Sequence, residues 1–234
     1  MPYDTVLFDN DGVLIQNTDG EVMRKGVRNA FRAAGIDRPE PDHVSSMTNF
    51  SAVTVSEVCR ICHGYGLDPE GFWSTREREV HTVQREEMRA ARKTLFEDFD
   101  ALGTLDSLGT ALGIVSNNQH DTVGFMIDHF DLDGRFGTFY GVEPTFDGIR
   151  RKKPDPYYLY RAIGDLGAKE VLYVGDKETD VHAAQSAGAD AVYLRRSGDD
   201  PGAETFGRPP EFEIDSLDEL VSIVSGERTV TREP

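Results

Sequence analysis

The sequence predicts an α/β fold, a parallel sheet with helices on both faces, into which an all-helical segment is inserted after the first strand. Three observations lead there. A short β-prone run, Val6-Leu7-Phe8, breaks off into Asp9-Asn10-Asp11-Gly12, residue types that end strands and favour tight turns. From about residue 101 onward, β-prone runs alternate with helical patterns, as they do when helices form the crossovers of a parallel sheet. Between these two regions, residues 17–95 show helical spacing only.

Taken in order, Val22, Val27, Ala30, Phe31 and Ala34 recur at helical spacing over 21–34, and Gly35 is a natural stop. Further helices are expected over 42–47, 52–62 and 69–92, with Gly64 and Gly66 breaking the chain before the last of them. That last helix carries Arg76, Arg78, Arg85, Arg89 and Arg92 among Glu77, Glu79, Glu86 and Glu87, the pattern of a solvated helix face laced with ion pairs. Beyond it the spacing predicts a helix over 102–108 and a buried strand over 112–115 that ends on Ser116-Asn117-Asn118. A helix over 122–130, a strand over Thr138–Val142 and a loop over 143–156 come next. A helix over Tyr157–Leu166 leads to a strand over 171–174 that runs into Gly175-Asp176. A helix over Glu178–Ala187 and a strand over Asp190–Leu194 complete the alternation. A Gly- and Pro-rich segment reaching Pro210 is expected to be mobile, residues 217–224 helical, and the polar tail 225–234 frayed. The division is therefore a core of 1–16 and 96–234 with a helical cap of 17–95, whose two ends both adjoin the acidic turn.

Composition narrows the class of function. A chain of 234 residues can bury a sizeable core, and no apolar run approaches the length of a membrane span. The N-terminus enters a strand with no basic, apolar leader, so the expectation is a cytoplasmic protein with no membrane partner. A formal net charge of -17 argues against nucleic acid, which is held by clustered Lys and Arg. Lys is far rarer than Arg, six against nineteen. Together with the acidity this points to a halophilic, high-salt cytoplasm, where screening shortens repulsion to about 3 Å at 1 M. The two cysteines stand as Cys59-Arg-Ile-Cys62-His63, which has the spacing of a haem attachment or a redox pair. A helical setting and the absence of an export signal favour two partly buried thiols instead.

Candidate chemistry gathers at strand ends. Asp9 and Asp11 end the first strand side by side, and two carboxylates that close need a cation, a shared proton or water; Mg²⁺ suits them by taking carboxylate oxygens and bridging to phosphate. Ser116 offers a hydroxyl and backbone donors after the second strand, a place where anions are held. Lys153 lies in Arg150-Arg-Lys-Lys-Pro-Asp-Pro156, the densest basic run of an acidic chain, where a phosphate dianion would find positive charge. Asp176 ends the strand over 171–174, and Asp180 follows one helical turn later.

Four strand ends bearing Asp-x-Asp, Ser, Lys and Asp-x-x-x-Asp in that order resemble the haloacid dehalogenase-like hydrolase superfamily, in its phosphoglycolate phosphatase-like branch with a helical cap. The matching stretches are Phe8-Asp-Asn-Asp-Gly-Val13, Ile114-Val-Ser-Asn117, Lys153-Pro-Asp-Pro156 and Val174-Gly-Asp-Lys-Glu-Thr-Asp180. The resemblance implies a Rossmann-like core and a phosphatase acting on a small phosphorylated metabolite, phosphoglycolate-like or a sugar phosphate. It also implies Asp9 as nucleophile giving an aspartyl-phosphate, Asp11 as general acid and base, and Ser116, Asn117 and Lys153 as binders of the phosphoryl group. Mg²⁺ would sit on Asp9, the Asp11 backbone carbonyl and Asp176, with Asp180 in support. The second carboxylate, Asp11, argues for phosphate esters over halogenated acids. Asn10 and Gln16-Asn17 depart from the usual pattern. The alternatives are a phosphomutase of the same fold and a non-catalytic phosphate-binding protein. The oligomeric state is not legible.

Overall fold

The computed structural model describes residues 2–196 and 206–228. Its centre is a six-stranded, wholly parallel sheet in the order β3-β2-β1-β4-β5-β6. The strands are β1 (Thr5–Phe8), β2 (Ala111–Gln119), β3 (Thr138–Val142), β4 (Val171–Gly175), β5 (Asp190–Leu194) and β6 (Phe212–Ile214). β1 is buried at all four positions because it lies between β2 and β4 with helices on either side. Successive side chains therefore enter different cores. Val6 and Phe8 join Leu112, Ile114, Leu172 and Val174 on one face, while Leu7 joins Val115 and Tyr173 on the other.

Helices α5 (Ala101–Ser107), α6 (His120–His129) and α10 (Leu220–Ser225) cover the first face through Leu105, Met126 and Ile223. The second face is covered by α8 (Tyr157–Leu166) and α9 (Glu178–Ala187), through Leu159 and Ala184. This is the Rossmann-like arrangement that strands alternating with helices imply.

Between β1 and α5 stand four helices, α1 (Gly20–Ala33), α2 (Pro41–Thr48), α3 (Val55–Gly64) and α4 (Pro69–Arg89). Each start has a local cause. Asp19 caps α1 by accepting from the Glu21 amide at 2.7 Å, Thr54 caps α3 at the Glu57 amide, and Asp68 with Pro69 opens α4. These helices share an apolar core of their own, with Val27, Phe31, Met47, Ile61, Trp73 and Val80. The connections out and back run side by side. The Gln16 amide donates to Thr94 O at 3.0 Å and the Phe96 amide to Leu14 O at 3.1 Å.

Four expectations need correction. The stretch 143–156 contains a helix, α7 (Phe146–Arg151), started by Thr145 accepting from the Gly148 amide at 3.0 Å; at six residues it is too short to show a periodicity. β6 has three residues and was equally invisible. The second strand does not end at Val115. It runs to Gln119 with an irregular register against β3. Finally, the charged face of α4 is only partly solvated, since Arg76 and Glu77 are fully enclosed. Both cysteines lie on α3 as free thiols, Cys62 buried and Cys59 partly so. The Gly- and Pro-rich segment expected to be mobile falls largely outside the described residues, as does most of the polar tail.

Candidate active site

In this strand order the chain reverses direction across the sheet at β1, and open α/β sheets form their ligand crevice at such a point, beyond the carboxyl ends of the strands. Asp9 stands there because the ladder continues one residue past β1, its amide donating to Val174 O at 2.8 Å. The turn beyond is tight: Asn10 O accepts from the amides of Val13, Leu14 and Ile15. Gly12 is required twice over, by its φ of +84° and because a Cβ there would lie 2.1 Å from Asp176 Oδ2. Arg196, beyond β5, fixes the turn from outside by donating to Val13 O at 2.5 Å while pairing with Asp98.

Lys153 is the charge centre of the site. Only 3% exposed, it places Nζ 3.0 Å from Asp9 Oδ1 and 2.6 Å from Asp180 Oδ1, and donates to Tyr173 Oη at 2.5 Å. Burial alone would lower the pKa of this amine, but Asp180 and Asp9 carry it upward, so it stays charged. Burial likewise acts to raise Asp9, and Lys153, Lys177 and the Ser116 hydroxyl outweigh it, leaving a carboxylate held below its ordinary range. Asn117 grips the lysine's backbone, accepting from its amide at 2.7 Å and donating to its carbonyl at 3.0 Å. The Asn117 side chain thus positions Lys153 as well as lining the cavity. Ser116 is buried at the same edge, its Oγ accepting from the Asn118 amide at 3.1 Å.

Carboxylate oxygens of Asp9, Asp176 and Asp180 lie within 4.8 Å of one another, and no other group of three or more His, Cys, Asp or Glu among the described residues is placed to share a metal ion. They suit a divalent cation. Asp176 Oδ1 is buried with no hydrogen-bond partner, and burial pushes the Asp176 carboxyl up to about 7, a strain that a bound cation would relieve. Asp180 is differently placed, with Oδ1 on Lys153 and Oδ2 accepting from the Lys177 amide at 3.1 Å.

Asp11 faces a cavity of about 180 Å³ whose floor includes Asp9, Ser116 and Lys177 and whose roof comes from the helical insertion through Met23, Phe50 and Glu77. Both oxygens of Asp11 are held. Lys93 Nζ pairs with Oδ1, and Asn118 Nδ2 donates to Oδ2 at 2.6 Å. Lys93, only 1% exposed, also donates to Thr18 Oγ1 at 2.8 Å and Gln84 Oε1 at 3.1 Å. This network joins the insertion's two connections and α4 to the acidic turn.

Sequence reasoning did not single out Lys93, Asn118, Gln84, Lys177 or Tyr173. One signal was available for the lysines. In a chain that uses arginine three times as often, Lys93, Lys153 and Lys177 all stand at this site, and Lys152 donates to the carbonyls of Phe50 and Val53 beside it. A lysine is kept where a compact point charge is needed in place of a planar fork.

A profile of the family described as "Haloacid dehalogenase-like hydrolase" matches residues 6–194. Among curated proteins, the chain is 27% identical over 192 residues to a phosphoglycolate phosphatase of Yersinia pestis, covering 81% of this chain and 79% of that one. It is 27% identical over 234 residues to the pyrophosphatase PpaX of Bacillus cereus, covering 96% and 98%. Among solved structures, CbbY from Rhodobacter sphaeroides in complex with phosphate superposes with a TM-score of 0.69 at 18% identity, covering 93% of this chain and 96% of that one.

Proposed function

This chain belongs to the haloacid dehalogenase-like hydrolase family, and from that premise we propose that it is a Mg²⁺-dependent phosphatase of a small phosphorylated metabolite, acting through an aspartyl-phosphate on Asp9. The observation that carries this reading is Asp9 itself. It is a buried carboxylate kept ionised by Lys153 at the floor of a cavity that Asp11, two residues on, also lines. A nucleophile needs the first property and a general acid and base beside it needs the second.

In the first half-reaction an Asp9 carboxylate oxygen bonds to phosphorus as the bond to the ester oxygen breaks, and the Asp11 carboxyl gives its proton to the departing alkoxide. In the second, the Asp11 carboxylate takes a proton from the water that attacks phosphorus, and the Asp9–phosphorus bond breaks. Lys153 and Ser116 steady the phosphoryl oxygens throughout, in an enclosed site where such contacts are strong. Asp9, the Asp11 carbonyl and Asp176 would hold Mg²⁺, with Asp180 fixing Lys153 behind them. Bound there, the ion supplies positive charge to the phosphoryl group during transfer. Residues 17–95 act as a cap that excludes water and meets the leaving group, a role supported by the roof they give the cavity.

The test is release of inorganic phosphate from a panel of phosphate monoesters and p-nitrophenyl phosphate. Asp9→Asn should remove turnover, a chelator should stop it, and Mg²⁺ should restore it better than Ca²⁺. A variant with a tenth of the activity, or full activity with chelator present, would refute the mechanism. Phosphate that stays with the organic product would mark a mutase instead.

A further inference from the structure

The roof of the cavity carries two apolar side chains, Met23 and Phe50, and one buried ion pair, Arg76 with Glu77 at 2.5 Å. Three of the arginine's five N–H groups are committed within the protein. Its Nε and Nη2 both donate to Met47 O, at 3.0 and 2.8 Å, and its Nη1 takes Glu77 Oε1. Its guanidinium lies over the Trp73 ring at 5.0 Å, and no part of it is exposed. Glu77 is the opposite case. It lines the cavity at 3% exposure, and its second oxygen, Oε2, has no hydrogen-bond partner. Gln84 Nε2, two turns along α4, donates instead to Asn118 Oδ1 and Gln119 Oε1, both at 2.9 Å.

Buried acceptors without partners are rare in folded proteins, and a charged one calls for a donor. A carboxylate turns readily about its last torsion, so Oε2 is available to a group in the cavity. Among the described residues that line the cavity the only cations are Arg76, held by Met47 O and Glu77, and Lys177, which sits by Asp176 at 3.4 Å on the floor. The one cation on the roof among the described residues is already paired with Glu77.

Building on the phosphatase reading, we propose that Glu77 selects the leaving group. Its free oxygen accepts from a hydroxyl of a neutral, hydroxylated alcohol whose carbon skeleton rests on Met23 and Phe50, and its charge turns away leaving groups that end in a carboxylate. A site built around an acceptor discriminates strongly in this way, because the wrong partner leaves the acceptor buried and opposed.

Glycerol 3-phosphate and 3-phosphoglycerate form a matched pair, differing by a terminal hydroxymethyl or carboxylate. The ratio of kcat/KM for the two should favour glycerol 3-phosphate by tenfold or more in the wild-type protein. Glu77→Gln keeps the volume and an oxygen for Arg76, and it should collapse that ratio by at least fivefold. A wild-type preference for 3-phosphoglycerate overturns the inference on its own, even if the variant does not fold, and so does a ratio that Glu77→Gln leaves within twofold. Absence of Asp9-dependent hydrolysis of every ester, p-nitrophenyl phosphate included, overturns the phosphatase reading and this inference with it. Hydrolysis with the wrong preference overturns this inference alone.

Discussion

Replacing Lys153 by Met would strand two carboxylates. Lys153 Nζ sits between Asp9 and Asp180, both buried, and within reach of the Val115 carbonyl and the Tyr173 hydroxyl. Removing one partner of a buried ion pair costs about 3–5 kcal/mol, because the remaining charge has neither water nor counter-ion. Total stability of a domain is about 5–15 kcal/mol, so the variant should fold but unfold at a much lower urea concentration. The cost should depend on pH with a definite sign. In the wild type Asp9 is held below its ordinary value, so it contributes stability at neutral pH that fades as pH falls through its folded value. Without the lysine, burial raises the stranded carboxyls instead. The native state then binds more protons than the unfolded one, and stability falls as pH rises. The deficit relative to wild type should therefore be larger at pH 7 than at pH 5. A second substitution isolates the cause. Asp180→Asn in the Lys153→Met background removes a stranded charge yet keeps an oxygen for the Lys177 amide, so it should return about 1–3 kcal/mol as a coupling energy. The assay is urea unfolding of the four proteins with chelator present, followed by fluorescence of Trp73. Activity of Lys153→Met should fall by about 10²–10³, the usual cost of removing one donor to the transferring group. If Lys153→Met is as stable as wild type, or if Asp180→Asn makes it less stable, the ion-pair account is wrong.

Two further outcomes are expected. Lys93→Met should lower kcat for alkyl phosphates more than for p-nitrophenyl phosphate, whose leaving group needs no proton, because Lys93 holds the carboxylate of Asp11 in place; an equal loss on both esters would deny it a role in positioning the acid. Burial pushes the Cys62 thiol up to about 12, so at pH 8 only about one molecule in ten thousand carries its thiolate. In the native protein a thiol reagent at pH 8 should therefore label Cys59 and spare Cys62, which should react only after unfolding, and rapid labelling of two thiols in the native state would contradict the structure.

The sequence by itself determined the fold class and the ends of β1 and β4, beyond which Asp9, Asp11 and Asp176 stand. These were legible because their causes are local. A buried parallel strand must be apolar throughout, its end must be a turn, and the charged residues that follow one another in Asp-Asn-Asp-Gly cannot lie within it. What surrounds those residues was decided by tertiary structure. Lys93 and Asp11 are 82 positions apart, and only the pairing of the insertion's outgoing and returning connections brings them together. Arg76 and Glu77 read as part of a solvated stripe because periodicity records which face a residue is on, and not whether another element covers that face. Here Met47 at the end of α2 and the Phe50 loop close over α4 and enclose both. The six residues of α7 and three of β6 give no periodicity to read, and they form because neighbours far along the chain supply their partners. The leaving-group end of the site belongs to this second kind. Its selectivity rests on which oxygen of Glu77 lacks a partner, and that is fixed by the packing of α2, α4 and β2 around it, contacts that no local pattern encodes.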